Sequence, residues 1–130
     1  MRLLLDTHVF LWHVTADARL PAPFLADIRD PANEVYLSVA SIREALIKHA
    51  SGKLPLPAPP ATYLPQQRAA HGIGTLPIDE GAMLPLAGLP ALHWDPFDRL
   101  LITQALQPGL TIATVDADVA AYPVPRLAPA

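Results

Sequence analysis

Cysteine is absent from the chain. That excludes disulfides, thiolate zinc sites and cysteine nucleophiles, and it fits a reducing compartment. No apolar run approaches the roughly 20 residues that a membrane-spanning helix requires. Arg2 and the leucines after it have the outline of a secretion signal. Asp6, His8 and His13 interrupt that stretch, however, and no small-residue cleavage site follows. The expectation is a cytoplasmic chain with no membrane partner. Cationic residues are also scarce. Nine Lys and Arg against twelve Asp and Glu give a formal charge of −3. This argues against a generally basic nucleic-acid binder, while leaving room for a basic rim around an acidic site. The five histidines have no paired metal spacing such as HxxxH, and there is no Ser-His-Asp signature.

What is present is apolar. With 130 residues, 52% of them hydrophobic and only 16% charged, the chain has enough material for one packed domain and is not disordered. A mean hydropathy of +0.28 is high for a small monomer and points to apolar surface covered by another chain.

Strand-like and helix-like segments alternate. Residues 2–5 read as a buried strand and 7–14 as a helix. A second helix begins at Pro21, with proline in its favoured first turn. A β-rich run at 35–37 leads into "SVASIREALIKHASGKL", the clearest helix, capped by Ser38 or Ser41 and ended by Gly52. "LPLPAPPATYL" breaks regular structure until a helix near 61–70. There follow a short strand in "IGTLPI", a helical turn from Asp79, and a strong helix in "DPFDRLLITQAL". The chain then gives a strand in "LTIATVD", a short helix in "ADVAAY" and a last strand candidate in "PVPRL". This order predicts an α/β sandwich around a mainly parallel sheet. A single domain spans 1–130, with a short Pro/Ala tail from about 125. Trp12 and Trp94 are assigned to core or interface.

Acids fall where such a sheet binds ligands, beyond the carboxyl ends of its strands. Asp6 follows the first strand and Asp116 follows "LTIATV", with Asp118 next. Glu44 lies early in the helix after "VYLSV", and Asp98 in the first turn of the helix at "DPFD". Each has a structural explanation. Asp6, Ser41 and Asp95 can cap helices, "SIRE" fits a capping box between Ser41 and Glu44, and the macrodipole favours Asp98. The set matters more than any member. Two carboxylates 6 Å apart repel by roughly 3 kcal/mol at an effective dielectric of about 20, so a cluster calls for a cation. Oxygen-only ligands suit Mg²⁺ or Mn²⁺, ions that promote phosphoryl displacement. Thr7 and Thr114 offer hydroxyls. Arg43, Lys48, Lys53 and Arg99 could meet phosphates, although Lys48 is also the i+4 partner of Glu44.

The segments "LLLDTHVFLW", "SVASIREALIKHASGKLPL", "DPFDRLLITQAL" and "TIATVDADVAAYPV" together resemble the PIN-domain ribonucleases, specifically VapC-like toxins of bacterial toxin–antitoxin systems. The resemblance runs in order from the first residues to about Val124. It implies a compact three-layer α/β/α sandwich, endoribonuclease activity with Mg²⁺ or Mn²⁺, inhibition by a cognate antitoxin and a homodimer. The family's acidic positions match Asp6, Glu44, Asp98 and Asp116 as metal ligands, and its small hydroxyl residue matches Thr114. Asp95, Arg99 and Asp118 belong to the same motifs at one remove. Arg43 departs from the pattern, since many relatives carry an aromatic residue there.

The resemblance implies hydrolysis of RNA to 5′-phosphate and 3′-hydroxyl ends without a protein nucleophile, with Thr114 orienting the attacking water. A phosphoacceptor receiver domain would want an acidic pair after the first strand, and a haloacid-dehalogenase-type phosphatase would want Asp-x-Asp. This chain has "DTH". The remaining alternative is a catalytically silent PIN-fold binding module.

Overall fold

A computed structural model of the chain describes residues 1–92, 95–106 and 108–127. His93, Trp94 and the end of the Pro/Ala tail lie outside the described residues. The first strand, β1 (Arg2–Leu5), explains the layering. Leu3, Leu4 and Leu5 are all fully buried. Successive side chains of a strand point to opposite faces. Accordingly Leu3 and Leu5 join one apolar cluster with Val9, Phe10, Phe24, Leu37 and Leu64, while Leu4 joins another with Leu101, Ile102, Leu110, Ile112 and Val119. An unbroken apolar strand is what a parallel sheet covered on both faces demands.

The other strands are β2 (Glu34–Ser38), β3 (Gly74–Leu76) and β4 (Thr111–Ala113), ordered β3-β2-β1-β4. Every pairing is parallel, with Leu3 opposite Val35 and Thr111, and Tyr36 opposite Gly74. Between them run α1 (Thr7–Val14), α2 (Ala22–Arg29), α3 (Val39–Ala50) and α4 (Pro60–Ala70). Next come α5 (Glu80–Met83), a 3-10 turn (Leu84–Gly88), α6 (Pro96–Leu106) and α7 (Ala117–Ala120). The first cluster lies under α1, α2 and α4, the second under α6 and α7. This is the expected three-layer α/β/α sandwich.

Two local expectations change. "PVPRL" forms no strand. It makes a single bridge, Arg126 to Ile112, through Ile112 N–H donating to Pro125 O at 2.8 Å and Leu127 N–H donating to Ile112 O at 3.0 Å. Pro123 and Pro125 have no N–H with which to extend a ladder. The cap of α3 is Ser38, whose Oγ accepts from Ala40 N–H at 3.0 Å. Ser41 is buried inside that helix, so the Ser41–Glu44 capping box does not form. Glu44 is thereby left to a different role. Gly52 closes α3 as expected, at φ 75° and with Lys53 N–H donating back to Lys48 O.

Candidate functional site

All four strands run the same way, so their carboxyl ends share one edge, and helices α1, α3 and α7 start there. Asp6 sits between β1 and α1. Its backbone is extended, and Oδ1 accepts from Thr7 N–H at 2.7 Å, so it does cap α1. Its second oxygen is directed elsewhere. Oδ2 accepts from the Thr114 hydroxyl at 2.7 Å, a bond that joins the ends of β1 and β4. Thr114 Oγ1 in turn accepts from Asp116 N–H at 3.0 Å, and Asp116 caps α7 through Asp118 N–H at 2.9 Å. The donor capacity of the Thr114 hydroxyl is therefore directed at Asp6 rather than at a water. Asp95 Oδ1 accepts from the N–H groups of Phe97 and Asp98, which fixes the first turn of α6.

These turns place Asp6, Glu44, Asp95, Asp98 and Asp116 on the wall of one cavity of about 290 Å³, with Lys48, His8 and Trp12 beside them. Capping and clustering are thus not rivals here: Asp6, Asp95 and Asp116 do both. The electrostatic consequence is clearest at Asp98. Burial is the largest cause that pushes its carboxyl up to about 7, followed by Asp95, Asp6, Asp116 and Glu44. Burial also raises Glu44. Lys48, 3.3 Å from Glu44 Oε1, pulls it back, and Asp6 adds to the rise.

The carboxylates face the cavity from different walls. Among the described residues, no three His, Cys, Asp or Glu side chains stand close enough together to share an ion as they are placed. The donor set itself is oxygen-rich and carries more negative charge than Lys48 offsets. Both properties fit a hard divalent cation.

Other expected residues fall elsewhere. Arg99 is buried, donates to Pro90 O at 2.9 Å and Tyr122 Oη at 3.0 Å, and lies over the Tyr122 ring. These contacts support the packing of α6 against Tyr122. Lys53 is exposed in a separate groove with Arg19 and Leu56, one that shares only His8 and Trp12 with the acidic cavity. Arg43 is exposed and outside the cavity wall. Thr7 is buried with no hydrogen-bond partner for Oγ1 among the described residues, and Asp118 contributes its N–H to Asp116. His8 is the residue that sequence reasoning undervalued. It is exposed on the first turn of α1, stacks edge-on against Trp12 and lines the cavity. The signal was its position two residues after Asp6.

Comparison with known proteins places this architecture. Over 54 residues the chain is 39% identical to ribonuclease VapC16 of Mycobacterium tuberculosis (strain ATCC 25618 / H37Rv), a match that covers 42% of this chain and 38% of that relative. Its fold is similar to a chain in the crystal structure of VapBC2 from Rickettsia felis bound to a DNA fragment from their promoter. That likeness has a TM-score of 0.73 and 13% identity and covers 98% of both chains. It is also similar to a chain of VapBC-1 from nontypeable Haemophilus influenzae, with a TM-score of 0.65, 15% identity, and coverage of 99% of this chain and 98% of that one. The family model for the PIN domain matches residues 3–125, nearly the whole length, and the chain belongs to the PIN-domain family.

Proposed function

We propose that this chain is a divalent-metal-dependent endoribonuclease that acts as the toxin of a toxin–antitoxin pair. The observation that carries the reading is the cavity at the carboxyl edge of the sheet. Acids from β1–α1, α3, α6 and β4–α7 share it, and together they help hold the Asp98 carboxyl at about 7. The partial match to a VapC ribonuclease and the fold shared with chains of VapBC structures support the toxin assignment.

Asp6, Glu44, Asp98 and Asp116 would hold Mg²⁺ or Mn²⁺. When bound, such an ion makes water more acidic and offsets charge on the phosphoryl oxygens during in-line displacement. The chain's own residues do the rest. Thr114 holds Asp6 by its hydroxyl and Asp116 by that Asp's N–H, so the two turns keep one geometry. Lys48 presents positive charge to an RNA phosphate entering an otherwise acidic cavity. His8 supplies an imidazole on the cavity wall. The products are 5′-phosphate and 3′-hydroxyl ends.

A cognate antitoxin and a second copy of this chain are the proposed protein partners. Exposed Val39, Ile78, Leu84, Leu86 and Leu92 supply apolar surface for such contacts. Among the described residues no helix is long and apolar enough to cross a membrane.

The test is to incubate a defined single-stranded RNA with the protein in Mg²⁺, Mn²⁺ or EDTA and to map the ends. Metal-dependent internal cuts bearing 5′-phosphates are expected, abolished in Asp116→Asn. RNA that is bound but never cut with either metal would assign the chain to the silent binding modules.

A further inference from the structure

The opposite end of α1 carries a second polar cavity that the acidic site does not use. It measures about 560 Å³ and lies beside the start of β2, with His13, Arg29, Asp30, Asn33 and His71 on its wall. His13 is in the last turn of α1 and His71 ends α4, and their rings meet edge to face with centroids 5.0 Å apart. His71 Nδ1 lies 2.8 Å from Gln67 O. A carbonyl only accepts, so this nitrogen carries the proton and Nε2 is left for another partner. His13 Nδ1 is buried and has no hydrogen-bond partner among the described residues. A buried ring nitrogen in that condition calls for one.

Arg29 and Asp30 are the charged residues lining this wall, and it is the cationic influence that reaches His13. Burial is the main cause that lowers the basicity of His13, and His71 and Arg29 lower it further by repulsion. Asp30 is the carboxylate on the wall, and its Oδ1 is engaged by Ala32 N–H at 2.9 Å. Asn33 is engaged as well. Its Oδ1 accepts from the Met1 amino group, and its amide donates to Asp27 O. A cation suits the cavity poorly. Arg29 repels it, and the two rings find no third ligand among the described residues. An anion would neutralise Arg29, accept from both rings and favour their protonation.

We propose that this cavity binds a phosphate group, with Arg29 as the fixed charge and His13 and His71 as donors that engage on protonation. The site is separate from the acidic cavity and does not depend on the nuclease reading. Its phosphate could belong to a small phosphate ester or to an RNA backbone, and the same experiment distinguishes them.

The experiment follows the histidine Cε1–H signals of the full chain by NMR through a pH titration in EDTA. Ionic strength is held constant with chloride, and inorganic phosphate is present or absent. Phosphate is expected to raise the His13 and His71 midpoints by about one pH unit, as an opposite charge at contact distance does. His49, which lines neither cavity, serves as the reference and stays in place. Arg29 is exposed, so Arg29→Gln leaves the core intact and is expected to remove the shift. A 2′-O-methyl oligonucleotide without terminal phosphate that reproduces the shift assigns the site to RNA backbone. One that does not assigns it to small phosphates. Equal movement of all histidines, no movement, or a full shift in Arg29→Gln would each overturn the proposal. So would Zn²⁺ perturbing both rings where phosphate does not.

Discussion

The Thr114 hydroxyl donates to Asp6 Oδ2 at 2.7 Å across 108 positions of sequence, and the same oxygen accepts from Asp116 N–H. One buried hydroxyl thus couples the turns after β1 and β4. Thr114→Val removes the donor and leaves the Asp6 carboxylate, among the described residues, with the Thr7 N–H bond. Supporting bonds of this kind typically change metal affinity 10–100-fold, so Mn²⁺ affinity is expected to fall by roughly that factor. Thr114→Ser should restore it. Calorimetric titration with Mn²⁺ checks this, and a valine variant that binds as the parent does would reduce Thr114 to a packing residue.

Asp98 gives the chain a pH signature. Its carboxyl keeps a proton to about 7 in the folded protein, against an ordinary value of 3.8. Between those values the folded state binds a proton that the unfolded state does not. Its contribution therefore makes the fold less stable as pH rises through this window, and the penalty is complete above about 7. In EDTA, Asp98→Asn should melt above the parent at alkaline pH, and the gap should close towards pH 4. A gap that does not vary with pH would show that the charge of Asp98 is not what the substitution relieves.

Lys48 lies on the acidic wall, whereas Lys53 lies in the neighbouring groove. Lys48→Met is expected to weaken RNA binding and to flatten its dependence on log salt by about 0.7, the value of one contact to a single strand. Lys53→Met should have the smaller effect. Equal losses from the two, measured by anisotropy over a salt series, would place the RNA along both cavities.

Ser38 holds β2 to α6. Its Oγ donates to Gln104 Oε1 at 2.6 Å and accepts from Ala40 N–H, all of it buried. Ser38→Ala removes the cap of α3 and leaves Gln104 Oε1 without this donor. The expected cost is about 1–3 kcal/mol in urea unfolding. An unchanged midpoint would mean that another donor replaces it.

The strand–helix order and the three layers could be read from the chain because each element carries its own signal. The leucines of β1, the glycine that ends α3 and the Asp-Pro that opens α6 are examples. Asp6, Glu44, Asp98 and Asp116 could be grouped because a parallel sheet puts every strand's exit on one edge. What one element cannot reveal is its rotation against the next. Arg99 follows Asp98 directly, yet the turn of α6 sends it into the core against Tyr122. Ser38 and Ser41 are equally good caps by type, and only the end of β2 decides between them. "PVPRL" has strand-like apolar character, but its prolines limit it to a bridge. His8 has no histidine partner at metal spacing, so its place on the cavity wall follows from Asp6 and not from its own pattern.

The central claim is that the acids gathered at this edge, Asp6 and Asp116 among them as helix caps, hold a divalent cation, and Asp6→Asn tests it most directly. Asparagine keeps an oxygen for Thr7 N–H, so the cap of α1 survives while the charge, and with it the second oxygen that accepts from Thr114, is lost. The measurement is thermal melting of parent and variant in EDTA and in Mn²⁺. In EDTA the variant should melt close to the parent, because relief of the repulsion that Asp6 exerts on Asp98 and Glu44 offsets the lost Thr114 bond. Mn²⁺ should raise the parent's midpoint by several degrees, as a ligand specific for the folded state does, and leave the variant where it was. Equal stabilisation of both proteins by Mn²⁺ would contradict the account.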